Sequence, residues 1–385
     1  MNMNLLENKP MKTKGKLRVL YFTPLFTFRH SRTESYLTNE VNALMKNYPD
    51  IEFILYVVKT PKRNSLIKIN DRILRVNRKS YRNFLFLKDM IKIFTKFKPH
   101  VVHSHYVVPS IIINFFAKIF RVPTILHGRG EDVNYFPFHS VKSKILLLIA
   151  GRLNDKIITV SKSTRDNFLK FKTKGNKVKV IYNGINFNYF NPREKSFFSS
   201  QYPLELLHVG RFHVRKGQHH IIEACKKLKD NNIKFHLTLI GGGPLRKLLV
   251  ELIKKYELED CVDLLGWIDY RKIPNYMQKA DVLVFPSITE GLPNVVLEAM
   301  SMKLAVILTR IGGNLELAQD KGSILVDTNN PQQLFEGILY YYNHPKELEI
   351  GGEINRNFII NSFSWDVHGK KLYQEYESLI KKRRV

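Results

Sequence analysis

Two carboxylates eight positions apart, Glu290 and Glu298, stand in FPSITEGLPNVVLEAM, residues 285–300. Such a pair can flank one scissile bond as acid and base, grip two parts of a polyhydroxyl ligand, or simply favour a helix end. Upstream, HVGRFHVRKGQHH (208–220) sets Arg211 just after an apolar run and Lys216 beside Gly217 where a helical pattern opens. A guanidinium, an ammonium and a helix N-terminus all suit phosphate oxygens; a solvated basic loop is the plain alternative. IGGGPLRKL (240–248) supplies a turn around Gly242 where backbone can approach a ligand, without the GxGxxG dinucleotide spacing. TRIGGNLEL (309–317) places Gly312 and Gly313 at another strand exit, followed by Glu316, either a nucleotide-side residue or a first-turn helix acid.

The first half carries HSHY (103–106) and HGRGED (127–132), with His103, His105, His127 and Asp132 as candidates. The two histidines of HSHY do not complete a zinc set, and a histidine can equally satisfy a buried hydrogen bond.

These residues need strands and helices to position them, and the hydrophobic pattern supplies both. After LRVLYF (17–22), apolar runs at 51–58, 100–107, 122–128, 155–161 and 177–183 alternate with helical patterns near 34–47, 83–97, 109–119, 140–151 and 162–171. NPREKSFFSSQYP (191–203) breaks the rhythm as a linker. It resumes with strands expected at 204–210, 234–241, 262–266, 281–287 and 304–310, and helices near 216–228, 243–257, 271–278, 293–302, 313–319 and 331–344. Strand–helix alternation of this kind predicts α/β architecture with parallel sheets, and two such runs predict two Rossmann-like domains. The expected boundaries are a flexible segment 1–15, a first domain 16–190, the linker, a second domain 204–362, and a C-terminal helix and tail 363–385 returning toward the first domain. Open parallel sheets take ligands beyond the carboxyl ends of their strands, where the motifs above fall.

The chain has 385 residues and a formal charge of +28. Residues 1–190 hold 35 lysines and arginines against 11 carboxylates, net +24, and the remainder 27 against 23. That asymmetry suits an anionic partner, an acidic membrane surface or nucleic acid, although no nucleic-acid reading motif accompanies it and no specific nucleic-acid partner is predicted. The basic, apolar stretch over 78–96 suits either an amphipathic membrane-facing helix or a helix packed on a sheet. Only Cys225 and Cys261 are present, which fits a reducing cytoplasm without disulfides. No run is long enough to span a membrane.

VLVFPSITEGLPNVVLEAMSMKLAVILTRIGGNLEL, with HVGRFHVRKG, GGGP, LLGW and IYNGINFNYF, resembles the family-4 glycosyltransferases, over nearly all of residues 17–383. The resemblance implies the GT-B architecture, two facing Rossmann-like domains with parallel sheets. It implies that Arg211 and Lys216 neutralise the diphosphate of a nucleotide-sugar and that Glu298 accepts hydrogen bonds from its ribose hydroxyls. Glu290 is placed near the transferred sugar, and the backbone of Gly291, Leu292, Pro293, Asn294 and Val295 holds sugar and phosphate. His127 matches the histidine that contacts the sugar and orients the reacting centre; Gly242, His105, Asp132 and Glu316 are additional cleft candidates. The sequence departs from the family at 22–44, which lacks the glycine-rich turn of some members, leaving Glu34 and Asn39 either saccharide-facing or structural. It departs again at Lys303 and Ala305, where many relatives carry glycine and proline.

The implied activity is retaining transfer of a hexose or N-acetylhexosamine from a UDP- or GDP-sugar to a glycan hydroxyl, without cofactor or catalytic metal. The charge adds the expectation of a lipid-linked acceptor and a peripheral position on the cytosolic membrane face. A soluble sugar acceptor, a subunit without turnover and a nucleic-acid-binding protein are the alternatives.

Overall fold

The computed structural model describes residues 16–24, 32–58, 65–78, 80, 84–193 and 203–384. The segment 1–15, residues 25–31 of the first loop, Lys79, Arg82 and 194–202 of the expected linker lie outside these, as does the side chain of Glu34.

Contacts divide the chain into two compact units, one running through Tyr182 and resuming at Trp365, the other spanning Asn183–Ser364. The boundary precedes the 191–203 segment because the chain after Tyr182 is already tied into the second unit. The Ile185 N–H donates to the Phe363 carbonyl at 2.9 Å and the Asn183 amide to Asn294 at 2.8 Å. The helix Trp365–Arg384 belongs to the first unit.

The first unit is built on eight strands: β1 Leu17–Pro24, β2 Ile51–Val58, β3 Ser65–Asn70, β4 Ile73–Arg78, β5 Val101–His105, β6 Thr124–Gly128, β7 Lys156–Thr159 and β8 Val178–Val180. Their order is β3-β4-β2-β1-β5-β6-β7-β8. Every neighbouring pair is parallel except β3 with β4, an antiparallel hairpin. No element is expected over 65–78 from the sequence, because Lys68, Arg72, Arg75 and Arg78 interrupt the apolar alternation of the hairpin. The run expected to be a strand through 107 stops at His105, and Val107 opens the helix Val107–Ile119.

Apolar side chains leave both faces of the sheet, as a parallel sheet requires. Leu17, Val19, Tyr21 and Ile125 pack with residues of the helices Arg32–Asn47 and Trp365–Arg384. On the opposite face Leu20, Phe22, Val102 and Leu126 meet residues of Phe84–Lys92, Val107–Ile119 and Val141–Leu153.

The second unit has six parallel strands: β9 Leu204–Val209, β10 Phe235–Ile240, β11 Val262–Gly266, β12 Val282–Phe285, β13 Ala305–Thr309 and β14 Ser323–Val326. The order is β11-β10-β9-β12-β13-β14. β14 was not anticipated because its four residues are short and mostly half-exposed. Nor was the helix Pro345–Ser362, whose Gly351-Gly352 pair reads as a break. Those glycines allow close packing instead. A Cβ on Gly351 would stand 2.4 Å from the Lys321 carbonyl oxygen, and one on Gly352 2.3 Å from that of Lys303. Lys303 itself takes φ +62°, the left-handed conformation that glycine adopts without steric cost. Its ammonium pairs with Glu353.

Candidate active site

In the second unit the strand order reverses between β9 and β12, and the motif residues leave from those two neighbours. Doubly wound sheets open a crevice at such a switch. Arg211, two residues past β9, is exposed, while its carbonyl accepts a hydrogen bond from the buried Gln218 amide at 2.9 Å. Gln218 also meets His208 Nε2 at 3.0 Å, and His208 Nδ1 donates to the Val284 carbonyl of β12 at 2.9 Å. The loop after β9 is thereby fastened to both strands. Lys216 ends a single 3-10 turn; Gly217, at φ +70°, redirects the chain into the helix Gln218–Asp230. Only glycine fits there, because a Cβ would lie 2.4 Å from the Pro286 carbonyl oxygen.

The Lys216 ammonium pairs with Glu290, and it also lies 5.6 Å from the centre of the Phe285 ring. Glu290 belongs to the loop after β12, which the Ile288 N–H ties to the Arg215 carbonyl at 3.0 Å. Glu298, only 2% exposed, sits inside the helix Asn294–Ser301 and accepts a hydrogen bond from Tyr270 at 2.9 Å. The Tyr270 ring stacks on Tyr189, 5.9 Å between centres. The two glutamates therefore occupy different environments, one against an ammonium at a loop and one buried under a phenol.

Glycine turns bring the remaining loops in. The Phe212 N–H donates to the Gly242 carbonyl at 3.0 Å, and Gly242 lies against Trp267. A Cβ on Gly313 would stand 1.9 Å from the Gly291 carbonyl oxygen, so the loop after β13 rests directly on the backbone of residues 291–292. Leu292, Pro293 and Val295 are buried and Asn294 is half-buried. Glu316 lies in the four-residue helix Asn314–Leu317, one loop further from the Lys216–Glu290 pair.

In the first unit the order reverses at β1 and β5, and the histidines cluster there. His103 and His105 share a face of β5 by their two-residue spacing, and His127 pairs with His105 across β5 and β6. Their rings stack 4.7–5.4 Å apart and are at most 1% exposed. Their ligand atoms lie within 4.8 Å of one another, a spacing that could hold a metal ion. A guanidinium is directed into the group: Arg129 donates from Nε to His105 Nδ1 at 3.0 Å and from Nη2 to His127 Nδ1 at 2.7 Å.

Glu40 accepts from Arg129 Nη2 at 2.5 Å and from the Tyr21 hydroxyl at 2.8 Å. The C-terminal helix completes the network. His368 Nε2 lies 2.9 Å from Glu40, and the Tyr376 hydroxyl 2.7 Å from His103 Nδ1. Burial alone would raise the Glu40 carboxyl, but its hydrogen bond to His368 and the charges of His368, His127 and His105 hold it well below the usual range. Burial holds His103 and His127 well below theirs and lowers His105 to about 4.

Asp132 lies beside this group in a positioning role. It accepts the Val107 N–H at 2.8 Å, fixing the start of the helix after β5, and burial raises its carboxyl to about 6. Tyr106 between them holds φ +71°, ψ 155°, a strained backbone at the strand exit. Asn39 is half-buried one residue before Glu40.

Glu40, Arg129, His368 and Tyr376 escaped sequence reasoning. The available signal was spacing: His103 with His105, and His127 with Arg129, both at intervals of two at adjoining strand ends.

The description "Glycosyltransferase Family 4" matches residues 33–189 and "Glycosyl transferases group 1" matches residues 192–358. An uncharacterized glycosyltransferase of Methanocaldococcus jannaschii is 31% identical over 348 residues, 88% of this chain and 94% of its own. This chain belongs to the family-4 glycosyltransferases. The UDP-Gal:alpha-D-GlcNAc-diphosphoundecaprenol alpha-1,3-galactosyltransferase of Escherichia coli is 28% identical to this glycosyltransferase, over 74% of this chain and 78% of its own. HepE of Anabaena in complex with UDP-glucose has the same fold, with TM-score 0.74, 18% identity and coverage of 94% and 100%. The family-4 glycosyltransferase described here thus has the GT-B fold, and the loops at its β9/β12 switch carry Arg211, Lys216 and Glu290.

Proposed function

We propose that this glycosyltransferase transfers a hexose or N-acetylhexosamine, with retention, from a UDP- or GDP-sugar to a hydroxyl of a lipid-linked surface-polysaccharide precursor. The convergence of Arg211, Lys216 and Glu290 at the carboxyl ends of β9 and β12 carries this reading. In it, Arg211 and Lys216 take the charge that develops on the departing diphosphate. The acceptor oxygen attacks the sugar carbon from the side the diphosphate leaves, and a phosphate oxygen receives the acceptor proton. Glu290 and His127 act at the sugar and Glu298 at the ribose, with no catalytic metal required. The UDP-Gal donor of the E. coli relative and the UDP-glucose complex of HepE support a uridine nucleotide, and that relative's diphosphoundecaprenol substrate supports a lipid-linked acceptor.

A panel of nucleotide-sugars with host lipid-linked glycan, followed by product linkage analysis, tests the proposal. Glu298→Gln is expected to weaken sugar-nucleotide binding roughly tenfold, the scale of one hydrogen bond to a charged group. Unchanged affinity in calorimetry would remove the ribose role. Binding without turnover across the panel would identify a non-catalytic subunit.

For the membrane, one face of the first unit has the needed character. Phe84 is 76% exposed on the helix Phe84–Lys92, Phe115 66% on Val107–Ile119 and Val141 75% on Val141–Leu153. These helices cover the same side of the sheet, and Lys88, Lys92, Lys118, Lys142 and Lys144 lie on them. Aromatic and aliphatic side chains among lysines suit shallow seating on an anionic lipid surface. Among the described residues, no helix is long and apolar enough to cross a membrane. Flotation with anionic vesicles at low salt is expected to carry the protein, and Phe84→Glu/Phe115→Glu to leave it at the bottom. Equal flotation of both proteins would remove this face from the proposal.

A further inference from the structure

The histidine group in the first unit depends on one cation for its hydrogen-bond directions. A guanidinium has five N–H donors and no acceptor. Since Arg129 lies 3.0 Å from His105 Nδ1 and 2.7 Å from His127 Nδ1, both of those nitrogens must present lone pairs. A neutral imidazole that accepts at Nδ1 carries its hydrogen on Nε2. His127 is fully buried, and its Nε2 has no hydrogen-bond partner among the described residues. Leaving such a donor unmatched in the interior costs about 1–3 kcal/mol, so this N–H is held ready for an acceptor that arrives with a ligand.

We infer that Arg129 is a positioning residue that locks His127 as a neutral Nε2–H donor toward an oxygen of the transferred sugar, and thereby excludes it as a general base. The inference rests on the reading of His127 as a sugar contact. Glu40 fixes Arg129 at 2.5 Å, and His368 holds Glu40 in turn at 2.9 Å while its Nδ1 lies 2.7 Å from the Tyr182 carbonyl. The C-terminal helix thus reaches His127 through two side chains.

The test reads the tautomer directly, in protein without substrate. Two-dimensional 15N spectra of the imidazoles, with the His127 signal assigned from a His127→Gln variant, are expected to show His127 as the Nε2–H form in the wild type. In Arg129→Lys, which keeps the charge but loses the planar fork, the His127 signal should move toward a mixture of tautomers, and kcat should fall roughly 10–100-fold, the scale for losing an orienting partner. Glu40→Gln/Arg129→Met, which removes both buried charges together, keeps the test open if the single variant unfolds; it should show the same tautomer mixture. A wild-type His127 with its hydrogen on Nδ1, or an unchanged Nε2–H signal in both variants, would overturn the lock. An intact lock combined with full activity of His127→Gln would leave Arg129's role standing and remove the sugar contact instead.

Discussion

Lowering the pH from 7.5 to 5.0 is expected to remove about 4 kcal/mol of stability from the first unit. The sign follows from the direction of the shifts. Burial holds the folded His103, His105 and His127 below the ordinary 6.5, with His105 at about 4. Their stabilising contribution is therefore complete above pH 6.5 and is lost as the unfolded chain takes up protons that the folded one refuses. At pH 5.0 each histidine accounts for about 2 kcal/mol. Asp132 acts the opposite way, because burial raises its folded carboxyl to about 6; by pH 5.0 it returns somewhat over 1 kcal/mol. Glu40, depressed by His368, His127 and His105 against its burial, adds to the loss only below its unfolded value of 4.5. Arg129 and His368 face the same histidines and oppose any added proton there.

The two tryptophans allow the unit to be observed separately, since Trp267 lies in the second and Trp365 in the first. Urea melts of Trp267→Phe, followed by Trp365 fluorescence, should lose most of their midpoint between pH 7.5 and 5.0. A His105→Asn variant should show a shallower dependence. A flat profile would mean that the histidines are solvated.

Lys216→Met is expected to lower the transfer rate by about 10²–10³, the scale for removing one preorganised charge from a transition state. The ammonium is held by Glu290 beside the β12 strand end, half-buried, where its field is screened less than that of a surface lysine. Lys216→Arg should recover part of the rate, because the charge returns with different geometry. Glu290→Gln should cost less than Lys216→Met if its principal task is to hold the lysine, and as much or more if it also acts at the sugar. Comparing kcat across these three variants on one nucleotide-sugar separates those tasks. A Lys216→Met enzyme within threefold of wild type would eliminate the diphosphate role.

The second unit was legible in its sequence because its site is assembled from short local motifs. Arg211, Gly242 and Glu290 each lie within a few residues of a strand end, Lys216 just before the helix after β9 and Glu298 inside the helix after β12, and the apolar runs locate those elements. The helix Pro345–Ser362 and the β3–β4 hairpin were not legible. In the first, glycines needed for close approach to Lys303 and Lys321 imitate a break; in the second, basic side chains interrupt the alternation. The first unit's polar network was hidden for another reason. It joins Tyr21, Glu40, His103, Arg129, His368 and Tyr376, and the Tyr21–Tyr376 contact spans 355 positions. No local pattern marks such partners, since each alone is an ordinary tyrosine, histidine or acid.

One feature of that network follows from simple counting. From Glu40 the contacts run to Tyr21, to Tyr376, to His103 and to His127, at 2.8, 3.0, 2.7 and 3.2 Å. Four contacts need four hydrogens. Each tyrosine brings one and a neutral His103 brings one, while His127 offers only a lone pair because Arg129 already donates to it. The row is one donor short. With Tyr21 committed to the carboxylate and the one lone pair of His127 Nδ1 already taken by Arg129 at 2.7 Å, the three hydrogens suit the three shorter contacts, and the 3.2 Å approach of His103 Nε2 to His127 is the one left without. The row is thereby held between an anion that only accepts and a cation that only donates, and the mismatch falls where the histidines of β5 and β6 meet.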